Sequence, residues 1–216
     1  MFFYFFLAVE LLSVIIGFVY YPYLKKSFMR WVLPFLIFIF FSEIVARVVG
    51  GYTNNNLKIY CFISIAESLF YGYFFYNATK IIQFRKLILI LTFLSVLGFV
   101  SSLIILHKNI HFLYLNFVIT GFFLSFMALG YIYIRFLDDQ NFYLITDPVF
   151  WVALGVSLFY SGTSVVFIMH DLIRVKRLWF MGLSLHNVVP QFLSILLYLS
   201  ISIAIIQCKK KIRISL

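Results

Sequence analysis

The chain has 216 residues, a formal net charge of +10, 64% hydrophobic residues and only 11% charged residues. An average soluble domain is about 45–50% apolar and about 25% charged, so this composition excludes an ordinary soluble domain and favours an integral membrane protein. Because the basic residues fall between apolar runs and at the C-terminus, the positive charge indicates contact with anionic lipid headgroups. The lipid bilayer is therefore the expected partner, and no nucleic-acid partner is expected.

Seven apolar segments are long enough for a membrane helix, which needs about 20 apolar residues. The first segment lacks the basic region of a signal peptide and is expected to remain as a helix. Pro34 lies in the first turn of the second segment, where its missing amide hydrogen is harmless. The dipeptide Asp147-Pro148 is typical of a helix start, with Asp147 as the cap. Polar turns are expected at 50–56 and 138–141. The predicted spans are residues 2–21, 32–50, 57–77, 87–106, 112–135, 148–169 and 183–207.

Lysine and arginine positions predict the orientation of the bundle. With the N-terminus outside, eleven of the 17 basic residues lie on the inner side and six on the outer side. We therefore predict an all-α bundle of seven transmembrane helices, N-out and C-in, with a transmembrane domain over 1–208 and a basic cytoplasmic tail over 209–216. The loop at 170–182 is the alternative: it is basic for an outer loop, and if it lies inside, one span has been miscounted.

Several ionisable residues lie within the predicted spans, where charge is costly and functional by default. Glu10 and Glu67 are midway along the first and third spans, and Glu43 and Arg47 are one turn apart on the second. Helical spacing also places polar side chains in stripes along one face of a helix. These stripes should face the bundle interior, because lipid cannot form hydrogen bonds with them. The stripes are Tyr60, Ser64, Glu67 and Tyr71; Asn187, Gln191, Ser194 and Tyr198; and Glu10, Ser13 and Gly17.

With the N-terminus outside, most of these polar residues fall in the middle or the outer half of the bundle. This distribution predicts a polar cavity that opens outward and closes below the mid-plane. Pro190 cannot donate to the carbonyl of His186, so a kink is expected beside the cavity. The candidate ligand-binding residues are Glu10, Glu43, Arg47, Glu67, Asn116, Tyr160, His186, Asn187 and Gln191.

Structural roles are an alternative for each of these residues. Glu43 and Arg47 could neutralise each other as an i,i+4 pair, and Arg47 could extend to the headgroups. Glu10 and Glu67 have no cationic partner on their own helices, so they could form hydrogen bonds between helices or take a proton or ligand. His186 could likewise be an interhelical donor.

Familiar catalytic and cofactor motifs are missing from the sequence. It contains no Walker loop, dinucleotide-binding glycine motif, HExxH or GxSxG, and we predict no catalytic residue, metal site or cofactor. Cys61 and Cys208 are expected at opposite membrane faces, so no disulfide is expected between them.

Several stretches carry a resemblance to a known group of proteins. They include Ser42-Glu43, Thr53-Asn54-Asn55-Asn56, Glu67-Ser68-Leu69-Phe70-Tyr71 and Phe150-Trp151-Val152-Ala153-Leu154-Gly155. In these stretches and their order the chain resembles the small, Phe- and Ile-rich, seven-helix membrane proteins common in Bacteroidetes-type bacteria. The resemblance implies seven helices and a multi-pass location in the bacterial inner membrane. It implies no particular activity and no functional residue.

Three functions remain open on the sequence. The first is a sensory or signalling module that binds a small or lipidic ligand in the outer half and moves a helix against a cytoplasmic or membrane protein partner. The second is a transporter or proton or ion pathway through Glu10, Glu43 and Glu67. The third is an intramembrane lipid-modifying enzyme, in which Glu10 or Glu67 would pair with His186 as acid and base. The short loops favour a protein that is not an enzyme.

Overall fold

The computed structural model describes residues 2–25, 27–53, 56–105, 110–137, 144–176, 179–180 and 183–214. The fold is all-α apart from a two-residue hairpin, β1 (Trp179–Phe180) with β2 (Leu183–Ser184), and two 3-10 turns at Phe28–Trp31 and Leu144–Thr146. The helices are α1 (Phe2–Val19), α2 (Tyr21–Leu24), α3 (Val32–Thr53), α4 (Leu57–Ala78), α5 (Ile82–Ile105), α6 (Ile110–Leu137), α7 (Pro148–Ile168), α8 (His170–Val175) and α9 (Leu185–Ile214).

Six helical segments of the described chain are long and apolar enough to cross a membrane, and they contain α3, α4, α5, α6, α7 and α9. The multi-pass membrane assignment rests on these six. The apolar part of α1 is shorter, covering Tyr4–Val19. At about 1.5 Å per residue, the 18 residues of α1 rise about 27 Å, slightly less than a hydrocarbon core of about 30 Å.

The helix boundaries differ from the predicted spans in ways that local contacts explain. α3 continues through Gly50 and Gly51 to Thr53, where a turn was expected, and the Thr53 hydroxyl donates to the carbonyl of Val49 at 2.8 Å. α5 begins five residues early, next to Arg85, whose Nε donates to the carbonyl of Thr79 at 2.7 Å. α9 extends past residue 208 to Ile214. The turn expected at 138–141 lies outside the described residues.

α7 is the central helix, and it packs between α6 and α9. Small residues line both contacts: Gly155 faces Leu197 and Ser200, Gly162 faces Leu193, and Gly121 faces Ser164. Because the residue numbers of facing positions rise on one helix as they fall on the other, α7 is antiparallel to both neighbours. Small residues allow helix backbones to approach closely, which is how helices associate in lipid.

α1 lies along α9 in the parallel direction. The rings of Phe6 and Tyr198 are 6.0 Å apart, and further along Ser202 donates to the hydroxyl of Ser13 at 2.9 Å. At the end of this contact, the ammonium of Lys209 lies 5.5 Å from the ring of Tyr20. α1 is therefore packed into the bundle along its whole length.

The outward faces of the long helices are apolar. Phe62 on α4, Phe93 on α5 and Phe126 on α6 are 61%, 66% and 54% exposed. An apolar surface of this extent would cause aggregation in water, but it matches the solvent properties of lipid.

Asp147 stands at the N-cap of α7 as the sequence predicts, but its carboxylate makes no capping hydrogen bond to the described first turn. Instead, the hydroxyl of Tyr131 on α6 donates to Asp147 Oδ2 at 2.6 Å, and Arg135 Nε lies 3.6 Å from the same oxygen. Arg135 Nε also donates to the Tyr131 hydroxyl at 3.0 Å. The buried Asp147 carboxylate therefore holds the end of α6 against the start of α7.

Substitution of Gly155 tests the close contact between α7 and α9. A Cβ at this position would lie 2.8 Å from Ser200 Cβ and 3.3 Å from Leu197 Cα, so Gly155→Ala should lower the free energy of unfolding by about 1–3 kcal/mol through overpacking. The matched control is Gly51→Ala, since a Cβ at Gly51 meets nothing within 4 Å. Thermal unfolding of the purified variants in detergent measures both. A Gly155→Ala protein as stable as Gly51→Ala would contradict this packing.

Candidate functional site

Three glutamates from three helices meet inside the bundle. The carboxyl group of Glu10 on α1 interacts electrostatically with those of Glu43 on α3 and Glu67 on α4, and Glu43 interacts with Glu67. Each lies near the middle of its helix. We call Glu10, Glu43 and Glu67 the carboxylate cluster. The residues are far apart in the sequence, and the fold brings them together.

Tyrosine side chains surround the carboxylate cluster. The hydroxyl of Tyr60 donates to Glu43 Oε2 at 3.3 Å, Tyr160 lies beside Glu67, and Tyr198 lies beside Glu10. A fourth tyrosine, Tyr71, interacts electrostatically with Glu67, and its ring packs edge-to-face on Tyr160 with centroids 5.8 Å apart. The cluster tyrosines are Tyr60, Tyr71, Tyr160 and Tyr198, from α4, α7 and α9.

Two members of this site have incomplete hydrogen bonding. Glu10 is fully buried, and neither of its carboxyl oxygens has a hydrogen-bond partner of regular geometry among the described residues. The hydroxyl of Tyr160, which is 7% exposed, also has no such partner in the described part of the chain. Leaving a buried polar atom unpaired costs about 1–3 kcal/mol. A bound group that supplies the missing hydrogen bonds would explain such atoms.

The spacing of polar residues on α4 explains why they point inward. Ser64 and Tyr71 are buried, Tyr60 and Glu67 are half-buried, and Phe62 on the other face is exposed. This interior stripe is as the sequence predicts.

The predicted stripe on α1 also faces the interior, with Glu10, Ser13 and Gly17 all buried. The hydroxyl of Ser13 donates to the carbonyl of Tyr198 at 3.1 Å. This contact fixes the Glu10 face of α1 against α9.

One end of the site leads toward the turn between α3 and α4. Glu43 accepts from Tyr60 near the start of α4, and Tyr60 interacts electrostatically with Arg47, which is exposed one turn beyond Glu43. At the same end, Asn56 Nδ2 donates to the carbonyl of Ala46 at 3.3 Å. Polar groups therefore continue from the carboxylate cluster to this end of the bundle.

The opposite end of the site is filled by aromatic rings. Phe35 and Phe70 stack with centroids 3.7 Å apart, and Phe28 packs edge-to-face on Phe74 at 5.3 Å. Phe70 and Phe74 follow Glu67 on α4 by about one and two helical turns. We call Phe28, Phe35, Phe70 and Phe74 the phenylalanine plug. It closes the polar interior on the side where α3 begins and α4 ends.

Asn116 has a structural position between α5 and α6. Its Nδ2 donates to the carbonyl of Gly98 at 3.0 Å and to the hydroxyl of Ser102. The amide thus joins two helices, and the carboxylate cluster draws on neither of them.

His186 lies near the start of α9, in an aromatic group of its own. Its ring centroid is 4.8 Å from that of His170 and 5.5 Å from that of Phe167. Twelve residues separate His186 from Tyr198, a rise of about 18 Å along a helix. His186 Nε2 has no hydrogen-bond partner among the described residues. The acid–base pair of His186 with Glu10 or Glu67 is therefore not assembled in this structure.

The remaining candidates on α9 lie between His186 and Tyr198. Asn187 is exposed and Gln191 is half-buried, so the stripe that begins at Asn187 turns inward only further along, at Tyr198. Pro190 lies inside α9, and its carbonyl accepts from the Ser194 hydroxyl at 2.9 Å. The kink at Pro190 stays a prediction.

Three cluster tyrosines and one contact outside the cluster are missing from the sequence-based candidates. Tyr60, Tyr71 and Tyr198 belong to predicted polar stripes, so their spacing from Glu67 and Gln191 was a usable signal for site membership. The contact of His170 with His186 had no such signal, because His170 lies in the segment predicted as a loop.

The site is not arranged as a metal site. No group of three or more His, Cys, Asp or Glu side chains in the described chain is placed to hold a metal ion. The site instead combines three acidic groups with the phenol rings of the cluster tyrosines.

No family model matches the chain, and no curated protein or solved structure matches it. The site is therefore characterised by its own geometry.

Replacement of Glu10 tests whether its burial is structural. Tyr198 lies beside the Glu10 carboxyl group, but neither oxygen makes a hydrogen bond of regular geometry with a described residue. Glu10→Met should therefore raise the free energy of unfolding by about 1–3 kcal/mol. The contrasting variant is Asp147→Asn, which weakens the contact to Tyr131 and Arg135 and should lower stability by a similar amount. Thermal unfolding in detergent compares the two with the unmodified protein. A loss of stability in Glu10→Met as large as that in Asp147→Asn would mean that Glu10 is a structural residue.

Proposed function

We propose that this chain is a sensory or signalling membrane protein that binds a small or lipidic ligand at the carboxylate cluster and passes a helix movement to a protein partner. The observation that carries the proposal is the convergence of polar groups from α1, α3, α4, α7 and α9 on one buried place. A ligand that completes these groups would change the packing of five helices at once. Binding energy would then be converted into helix movement, since a ligand shifts a protein toward the state that it binds better.

The two ends of the site support binding rather than passage through the bundle. Polar groups lead from the cluster toward Arg47, whereas the phenylalanine plug closes the other end. A ligand could enter from one side and remain there, while its effect would reach the far side through the helices themselves.

The proposed topology is seven spans, N-out and C-in, in a bacterial inner membrane. The packing of α1 supports the seventh span, because α1 runs parallel to α9 from Phe6 to Tyr20. In a chain that crosses the membrane at every long helix, the first and seventh crossings run in the same direction. This shared direction of α1 and α9 is what a seventh span requires.

A proton or ion pathway is the second candidate, and the three carboxyl groups favour it. It requires polar groups or water to continue beyond Phe70 and Phe74, where the rings of the phenylalanine plug pack together. Purified protein in liposomes separates the two functions. Signalling predicts no flux of protons or small ions above empty liposomes, whereas a flux abolished by Glu67→Gln would establish the pathway.

Ligand binding itself is measured on the purified protein in nanodiscs. Thermal unfolding with neutral, anionic, cationic and lipidic compounds should identify one class that stabilises the protein, by about 2.7 kcal/mol at a hundredfold excess over its Kd. Glu10→Gln and Glu67→Gln should abolish this stabilisation, whereas Asp147→Asn, outside the cluster, should retain it. Failure of every class, together with no co-purifying partner, would reject the signalling function.

Single cysteines test the proposed orientation. Tyr52 at the end of α3 is 87% exposed, and Lys80 between α4 and α5 is also exposed. In intact bacterial cells made permeable in the outer membrane only, a membrane-impermeant maleimide should label Tyr52→Cys but not Lys80→Cys. Cys61 and Cys208 are buried, so the native background should be low. Labelling of Lys80→Cys alone would reverse the orientation.

A further inference from the structure

Among the described residues, no basic group interacts with two of the three members of the carboxylate cluster, Glu10 and Glu67. Glu10 interacts electrostatically with Glu43, Glu67, Tyr60 and Tyr198, and Glu67 interacts with Glu10, Glu43, Tyr71, Tyr160 and Tyr198. None of these groups is basic. A carboxylate without a cation is costly inside a membrane, so Glu10 and Glu67 are stable there either with a proton or beside a bound cation.

Arg47 lies at the edge of the cluster. It is one turn from Glu43 on α3, it is exposed, and it interacts electrostatically with Tyr60. Its positive charge is therefore at the Glu43 and Tyr60 end of the cluster. The centre of the cluster, around Glu10 and Glu67, is the place for a further cation.

Tyr160 supplies independent support for a missing group. Its hydroxyl is buried, faces Glu67 and has no hydrogen-bond partner of regular geometry among the described residues. A phenol oxygen can accept a hydrogen bond from an N–H or O–H group of a ligand while it donates to a carboxylate. The Tyr160 hydroxyl therefore marks a polar position beside Glu67 that a ligand can share.

The aromatic lining of the site favours one kind of cation. No group of three or more His, Cys, Asp or Glu side chains in the described chain is placed to hold a metal ion. Tyr71 and Tyr160 lie beside Glu67, and their rings pack edge-to-face with centroids 5.8 Å apart. Aromatic faces attract cations whose charge is spread over alkyl groups, by about 0.5–2 kcal/mol per ring. Acidic groups lined by phenol rings match an organic ammonium ion.

We infer that the carboxylate cluster binds an organic ammonium ion and releases a proton when it does so. This inference rests on the proposed function and names its ligand class. The O–H bond of a cluster carboxyl group breaks, its proton leaves to water, and the carboxylate forms an ion pair with the ammonium group. The ammonium ion replaces the proton on the carboxylate, so the net charge within the membrane does not change. No electron is transferred.

The titratable groups that face the cluster come from five helices. They are Glu10 from α1, Glu43 and Arg47 from α3, Tyr60, Glu67 and Tyr71 from α4, Tyr160 from α7, and Tyr198 from α9. The carboxyl groups are the members that exchange protons. The phenols supply hydrogen bonds and aromatic surface.

Choline and its uncharged isostere 3,3-dimethylbutan-1-ol test the inference on the purified full-length protein in nanodiscs. Choline has a permanent charge, so any pH dependence of its binding comes from the protein. We expect choline to raise the melting temperature, and 3,3-dimethylbutan-1-ol and sodium chloride at the same concentration not to do so. The affinity for choline measured by calorimetry should increase with pH, by up to about tenfold per pH unit when one proton is released. A pH-sensitive dye in weak buffer should detect that proton.

Substitutions test whether choline binds at the carboxylate cluster. Glu67→Gln keeps the shape of the side chain and should abolish the response to choline, and Tyr160→Phe should weaken it. Tyr133→Phe is the matched control, since Tyr133 is 64% exposed, and Asp147→Asn is the carboxyl control; both should respond as the unmodified protein does. The comparison of choline with its isostere and the pH series use the unmodified protein, so they decide the question even where a variant does not fold.

Two results would overturn the inference. One is equal stabilisation by choline and its uncharged isostere, and the other is an affinity for choline that does not change with pH. If a neutral or anionic compound instead stabilises the protein and Glu67→Gln abolishes that effect, the ligand class is wrong and the proposed function stands. If no compound stabilises the protein and Glu67→Gln unfolds as the unmodified protein does, both are wrong.

Discussion

The inability of lipid to form hydrogen bonds is the constraint on which this structure depends. Every polar group within the membrane must find its partner inside the bundle, so the side chains divide sharply into an outward apolar surface and an inward polar set. Phe62 and Tyr60 on α4 illustrate the division, since they are two residues apart and lie on opposite faces. The same constraint brings Glu10, Glu43 and Glu67 together, because the interior of the bundle is the place that remains for them.

Packing in the other half of the molecule follows from the same solvent. Lipid provides no hydrophobic driving force between helices, so association depends on close contact and on hydrogen bonds between helices. α6, α7 and α9 meet through Gly121, Gly155 and Gly162, and α1 joins α9 through Ser13. Asn116 serves the same purpose between α5 and α6. These contacts join α1, α5, α6, α7 and α9, and the polar site lies where α1, α7 and α9 meet α3 and α4.

Sequence reasoning succeeded where a short local pattern determines the outcome. Apolar runs predicted the helices, and the spacing of Tyr60, Glu67 and Tyr71 predicted which face of α4 is interior. It could not determine which helices are neighbours, because that depends on side chains far apart in the chain. His186 and Asn116 were therefore grouped with the glutamates only because of their predicted depth in the membrane. In the structure, Asn116 joins α5 to α6, and His186 packs against His170 and Phe167. The helix ends were missed where a single side chain extends a helix, as Thr53 does at the end of α3.

Two buried carboxyl groups show how a structural acid differs from one that is poised for a ligand. Asp147 receives a hydrogen bond from Tyr131 and lies beside Arg135, so its charge is balanced by groups that the fold itself provides. Glu10 is equally buried, and its neighbours are further acids and a phenol. A balanced carboxylate stabilises the folded state, whereas an unbalanced one lowers stability unless something outside the chain completes it. Glu10 lies where five helices meet, and an incoming cation or proton is the simplest group that would balance its carboxylate charge.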